Sequence, residues 1–350
     1  MAGCTMGCTG RPLEPSRFRF VLAPSGLHHV TAIASNPQRN LDFYAGVLGL
    51  RLVKRTVNFD DPTTYHFYFG DDVGHPGTLL TFFPWPDARR GRQGAGQSVV
   101  TSFAIVPGSV GFWLERMLRL RVDFEQPVTR FDDERVIAFK DPDGMLVELV
   151  AHPRVEQSDR QGDAGMHAHA APTIPPEHAI RGLYSVQLWQ DAQQPRTEAL
   201  LTRTLGYTLA REQGSIYRYT VGDGGPGRIL DLRVVPGLWR GTMGAGVVHH
   251  VAFRAGDDVT QRVVRDELES DGFTVTPPLD RDYFRSVYFR EPGGVLFEIA
   301  TDAPGFTIDE PPSSLGRALK LPPWLEPRRF EIEALLPNIH LPLDLPGPNA

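Results

Sequence analysis

The chain has 350 residues, 41% of them hydrophobic and 22% charged, with a formal net charge of −6. That size and balance suit a protein able to bury a sizeable core, in two ordinary domains or four small repeated units. Lysine and arginine are spread rather than clustered, which argues against nucleic acid or an anionic membrane surface as partner. No apolar run approaches the roughly 20 residues of a membrane span.

The first residues, MAGCTMGCTGRPLEPSR, lack the apolar core of a signal peptide and carry both cysteines, Cys4 and Cys8. Residues 1–24 therefore read as a disordered leader of a cytoplasmic protein. The body of the chain offers neither a disulfide framework nor a thiolate catalyst.

From Gly26 the chain repeats itself. Copy one has a strand in GLHHVTAIA, a helix opening at Asn36-Pro37 and stopping at Gly49, then three strands, LRLVKRTV, TTYHFYFG and GTLLTFF. That is a βαβββ unit. Copy two is weaker: SVVTSFAIV, a helix through FWLERMLRL, then RVIAFK and DPDGMLVELVA. A polar, Gly/Ala-rich connector over 156–178 follows, with MHAHA inside it. Copy three reads GLYSVQLWQ, a helix ending in TLGY, IYRYTVG and RILDLRVV. Copy four reads VVHHVAFRA, a helix VTQRVVRDELESDGF closed by Gly272, FRSVYFR and EPGGVLFEIA. From 304 the chain is Pro-rich, a tail expected to wrap the surface, with one short helical pattern near Arg328 to Leu336. The fold class is α+β: four βαβββ modules forming two open β-barrels, with modules one and two in 25–155 and modules three and four in 179–303.

Metal-ligating residue types recur at two places, the first strand and the sixth residue after the proline that precedes the last strand. Copy one has His28-His29 and then Phe82; copy two has no histidine on its first strand but Glu148. Copy three offers only Leu232, with Asp231 beside it, and copy four has His249-His250 and Glu298. Two histidines and one carboxylate with open coordination positions are the signature of non-haem Fe(II) oxygen chemistry. Pairing copy one with copy four unites His29 (or its neighbour), His250 and Glu298 in one site. It leaves copies two and three as a ligand-free companion barrel. Glu298 lies in an apolar string, where a carboxylate is costly unless paired or coordinated. The same holds for Glu148, with no separate reason for its burial in view. Strand side chains alternate faces, so only one histidine of each pair should face the metal. His249 shares its face with Val247, Val251 and Phe253. His250 shares a smaller, more polar face with Val248, Ala252 and Arg254, and equivalent register favours His29 alongside it.

The repeats, FYAGVLGL and EPGGVLFEIA resemble the vicinal oxygen chelate superfamily, which includes glyoxalases, bleomycin resistance proteins and extradiol dioxygenases. LHHVTAI, LRLVKRTVNFDD, TYHFYFGDDVGHPGTLLTFFP, GVVHHVAF, DRDYFRSVYFREPGGVLFEIATD and SLGRALKLP resemble more particularly its hydroquinone-type ring-cleaving dioxygenases, such as chlorohydroquinone 1,2-dioxygenase. The resemblance spans about Gly26 to Pro322. It implies Fe(II), with Mn(II) as an alternative, on His29, His250 and Glu298. It further implies outer positions at His28, His249 and Tyr288 for proton transfer, and at Arg281 and Thr31 for substrate. The partners it implies are a small aromatic diol and O₂, and a homo-oligomer is left open. The rival readings are a glyoxalase-like lyase or isomerase, which would need a thiol such as glutathione instead of O₂, and a resistance-type small-molecule binder.

Overall fold

The computed structural model describes residues 23–161, 168–169 and 171–341. Cys4, Cys8 and His167 lie outside the described residues.

Module one runs β1 (Leu27–Ala34), α1 (Pro37–Leu41), β2 (Arg51–Asn58), β3 (Asp61–Gly70) and β4 (Leu79–Pro84). Module two runs β5 (Gln97–Ile105), α2 (Val110–Arg119), β6 (Val128–Arg130), β7 (Glu134–Lys140) and β8 (Leu146–Ala151), and α3 (Pro153–Gln161) follows it. The connector thus begins as helix rather than as coil. Module three runs β9 (Leu183–Gln190), α4 (Pro195–Ala199), β10 (Thr208–Gln213), β11 (Ile216–Thr220) and β12 (Ile229–Val234). Module four runs β13 (Val247–Gly256), α5 (Asp258–Ser270), β14 (Leu279–Asp280), β15 (Arg285–Arg290) and β16 (Leu296–Thr301).

Local chemistry accounts for the helix ends. The Asn36 side chain accepts from Arg39 N with Pro37 at the first position, and Asp257 accepts from Thr260 N at 2.7 Å. Beyond α1 the chain widens into a π-helix over Asp42–Val47, burying Phe43 and Tyr44. α5 buries Val264 and Leu268. No helix among the described residues is long and apolar enough to cross a membrane.

The strands form two curled eight-stranded sheets, ordered β14-β15-β16-β13-β1-β4-β3-β2 and β10-β11-β12-β9-β5-β8-β7-β6. Modules one and four make the first sheet, joined by antiparallel β1 and β13; modules two and three make the second, joined by β5 and β9. At the first seam the pairing goes from Leu27↔Phe253 to His29↔Ala252, and from Thr31↔His250 to Ala32↔Val248. His28 and His249 are therefore the extra residues of two β-bulges, one on each strand. A bulge interrupts the alternation of faces and re-aims the side chains around it.

The Pro-rich tail lies across β2 and carries α6 (Arg329–Leu335). Lys54, fully buried on β2, is 2.6 Å from Asp309 Oδ1 and 2.5 Å from Glu310 Oε2, with its Nζ 4.9 Å from the Tyr283 ring centroid. Further along the tail, Gly316 passes so near β2 that a Cβ would fall 2.0 Å from Leu52 O. Lys54→Met is expected to cost about 2–3 kcal/mol, somewhat less than breaking a fully buried pair because Asp309 is part-exposed. Denaturant unfolding gives the cost, and limited proteolysis within 304–341 shows whether the tail is loosened.

Candidate metal centre

His29 on β1, His250 on β13 and Glu298 on β16 converge inside the first sheet, each buried, with one donor atom apiece and all three within 4.8 Å of one another. Register explains the meeting. β13 is bonded to β1 on one side and to β16 on the other, with Ala252 opposite both His29 and Glu298. Glu298 Oε2 lies 2.9 Å from His250 Nε2 and 3.3 Å from His29 Nε2, and the two Nε2 atoms are 3.3 Å apart. Oε1 accepts from the Ser286 hydroxyl, whereas Oε2 is fully enclosed without a hydrogen bond of good geometry. Burial alone would push this carboxyl up, yet the imidazoles of His29 and His250 hold it well below the usual range. An enclosed carboxylate oxygen left without such a bond while two imidazole nitrogens share its point of aim is a donor set waiting for a cation. The residues fit a metal.

Strict alternation of faces is corrected by the structure, although only one histidine of each pair joins the donor set. His28 Nδ1 is 2.9 Å from His29 Nδ1, and His249 Nδ1 is 2.7 Å from His250 Nδ1. The two bulges bring neighbouring imidazoles to the same side of the seam.

On the β1 side this geometry fixes the tautomers. His28 Nε2 lies 3.1 Å from the Thr301 carbonyl, which can only accept, so Nε2 carries the proton. Burial pushes the His28 pKa down to about 3, with His29 adding to the effect, so the ring is neutral and its Nδ1 accepts from His29 Nδ1–H. His29 Nε2 is left with a lone pair facing the other two donors. Outer partners of this kind orient ligating histidines and raise their basicity. His28→Ala is accordingly expected to weaken metal affinity about 10–100-fold while His29→Ala removes binding. Competitive chelator titration measures both, and the reverse order of effects would mean the register is wrong.

A cavity of about 400 Å³ opens onto the donor set. His249, Tyr288 and Arg281 line it. The Tyr288 ring is 5.7 Å from that of His250, and burial pushes its phenol above the usual range. Arg281 Nε donates to Tyr288 Oη at 3.3 Å, its guanidinium lies 5.3 Å over the same ring, and Nη1 is 3.5 Å from Asp60 Oδ2. Thr31 is placed differently: it is fully buried beneath the cavity, its Oγ1 2.8 Å from Thr81 Oγ1, and it does not line the cavity. Sequence reasoning passed over His66, Tyr68, Phe83, Trp85 and Phe284, all on the cavity wall. A signal for two of them was present, since Thr64, His66 and Tyr68 alternate with the core-facing Tyr65, Phe67 and Phe69.

In the companion sheet Glu148 is only part-buried, and it is paired. Arg130 Nη1 is 3.0 Å from Glu148 Oε2, and Ser102 Oγ donates to the same oxygen at 2.7 Å. Arg130 and Arg218 both hold Glu134, and Arg218 clasps Asp231 with two bonds of 2.8 Å. Guanidinium charge occupies this barrel's interior where the first barrel has its donor set. In the first barrel Phe82, the module-one counterpart of Glu298, is fully buried, so the set there stays at three donors.

Paired βαβββ modules curled into two open sheets, with a three-donor cluster at one seam, define the vicinal oxygen chelate class. The chain belongs to the glyoxalase/bleomycin resistance protein/dioxygenase superfamily, whose family model matches residues 26–149 and 157–299. It is 45% identical over 314 residues to MhqO of Bacillus subtilis (strain 168), named provisionally as a ring-cleaving dioxygenase, covering 89% of this chain and 96% of that one. It is 33% identical over 315 residues to the chlorohydroquinone/hydroquinone 1,2-dioxygenase of Sphingobium indicum, covering 88% of this chain and 94% of the relative. A crystal structure of a Bacillus subtilis protein, provisionally a dioxygenase, superposes with a TM-score of 0.84 at 43% identity, covering 91% and 98% of the two chains. Glyoxalase I from Zea mays shares the fold, with a TM-score of 0.57 at 15% identity over 79% of this chain and 92% of that one.

Proposed function

We propose that the protein is an Fe(II)-dependent dioxygenase that opens the ring of a hydroquinone- or catechol-type aromatic diol with O₂. The observation that carries this reading is the two-imidazole, one-carboxylate set, its imidazoles on the wall of an aromatic-lined cavity, in a chain whose relatives are named as a hydroquinone 1,2-dioxygenase and, provisionally, as a ring-cleaving dioxygenase. Three protein donors are few enough to leave coordination positions open. When bound on His29, His250 and Glu298, Fe(II) supplies Lewis acidity toward a phenolic oxygen and a path for electrons from ring to O₂.

The chain's own residues do the rest. Phe83, Trp85 and Phe284 line the cavity with rings that exclude water and suit a planar aromatic substrate. Arg281 is placed to draw a substrate oxyanion, while its bond to Oη leaves the Tyr288 proton free to be donated to a substrate oxygen. His249, neutral because burial pushes its pKa down to about 3, lines the cavity and orients His250 by accepting from its Nδ1–H at 2.7 Å. In the overall reaction one carbon–carbon bond beside a hydroxylated carbon breaks and both atoms of O₂ enter the product, so no external reductant is consumed.

The test is an oxygen-electrode assay on protein loaded anaerobically with stoichiometric Fe(II), run with ¹⁸O₂ and a panel of hydroquinones and catechols. One O₂ should be taken up per ring opened, with two labelled atoms in the product. Absence of uptake across the panel would remove the proposal.

A further inference from the structure

His66 stands on β3 among rings, its centroid 4.0 Å from that of Tyr68 and 4.3 Å from that of Phe83, and it lines the cavity. Its Nε2 is 3.0 Å from Thr81 Oγ1, and Thr81 Oγ1 is 2.8 Å from Thr31 Oγ1, both threonines being fully buried. One ring nitrogen is thus tethered to the wall. Nδ1 has no hydrogen-bond partner among the described residues. Burial, reinforced by His29 and His250, holds this imidazole well below its usual pKa and therefore neutral. A neutral ring with one nitrogen fixed offers a single directional bond, either donated or accepted. A hydroxyl can answer in either sense, whereas Phe83 and Phe284 in the same wall are apolar and Trp85 Nε1 is committed to Asp61 Oδ2 at 2.8 Å. Arg281 and Tyr288 lie together beside His250 and serve the substrate oxygen at the metal centre.

We propose that His66 is a specificity-determining residue whose Nδ1 holds the substrate hydroxyl that is not at the metal centre. The inference rests on the aromatic-diol reading above and deepens it: the preferred diol carries its second hydroxyl away from the first, as a hydroquinone does. Thr81 and Thr31 are then positioning residues. They anchor the His66 ring to β4 and β1, and Thr31 is itself the register partner of His250.

The test is calorimetric binding of hydroquinone and of phenol, which lacks the second hydroxyl, to anaerobic Fe(II)-loaded protein, where no turnover can occur. Wild type should prefer hydroquinone by about tenfold, the worth of one net hydrogen bond. His66→Phe should erase that ratio with phenol affinity unchanged, His66→Gln should keep part of it, and Thr81→Val should reduce it partway. An undiminished ratio in His66→Phe, no preference in wild type, or a parallel loss for both ligands would overturn the inference. A His66-dependent ratio without O₂ uptake would instead sink ring cleavage and spare the binding role. O₂ uptake with a His66-independent ratio would do the opposite, and failure to bind either ligand would end both.

Discussion

Glu298→Ala is expected to leave a folded protein that neither retains iron nor consumes O₂. Glu298 supplies the only negative charge of the donor set, at a fully buried position where no neighbouring carboxylate can replace it. Free Fe(II) at a hundred times its Kd should stabilise wild type by about 2.7 kcal/mol, since a ligand that binds only the folded state shifts unfolding by mass action. The variant should show no such shift at the same concentration. Activity should fall about a thousandfold or more, because the metal accounts for several kcal/mol of charge stabilisation. Iron content and the iron-dependent shift in Tm are read on one sample. A variant that keeps both would show that the triad is not the centre.

The second large effect lies in the other barrel. Arg218→Ala strands Asp231 and leaves Glu134 with Arg130 and Tyr184 alone, side chains 1% and 0% exposed, and also removes a guanidinium 4.0 Å over the Phe131 ring. Breaking a buried pair by removing one partner costs about 3–5 kcal/mol, because an uncompensated charge stays behind. Iron binding by the folded fraction should be intact, since the network belongs to modules two and three.

The pH dependence has a definite sign. In wild type, burial raises Glu134, but Arg130, Arg218 and the Tyr184 hydroxyl outweigh it and hold the carboxyl below 4.5. Its stabilisation is thus present above about pH 4.5 and is lost as pH falls through the lower folded value. Without Arg218 the folded pKa moves up towards the ordinary value while Arg130 and Tyr184 still hold the carboxylate, so the stabilisation it contributes at neutral pH shrinks. The difference in unfolding free energy between wild type and variant should therefore narrow from pH 7 towards pH 4. A gap that stays constant with pH would mean that Arg218 does not help to hold the Glu134 carboxylate.

Much of this arrangement was legible in the sequence. Periodic apolar residues and Gly/Pro punctuation gave the repeated unit, and the distribution of His and Glu over the copies gave the pairing of module one with module four. What escaped had physical causes. β10, TLAREQ, is exposed along its whole length, so it has no buried face to impose alternation; β6 and β14 are short edge strands. The bulges at His28 and His249 are pairing irregularities between strands more than two hundred positions apart in sequence, and no local pattern marks them. For that reason strict alternation sent His28 and His249 to the wrong face. No reason for a carboxylate at Glu148 was in view because its partner Arg130 lies on another strand, outside the apolar string. His66 was passed over because TTYHFYFG reads as an aromatic core strand, although alternation sets His66 and Tyr68 on the face opposite Tyr65, Phe67 and Phe69.

The central claim is that modules one and four share one iron through His29, His250 and Glu298. Anomalous diffraction at the iron edge from crystals loaded anaerobically with Fe(II) tests it most directly. A single peak within bonding distance of His29 Nε2, His250 Nε2 and a Glu298 carboxylate oxygen is the predicted result. A peak among Glu134, Glu148 and Asp231 in the companion barrel, or none at the first seam, would contradict it.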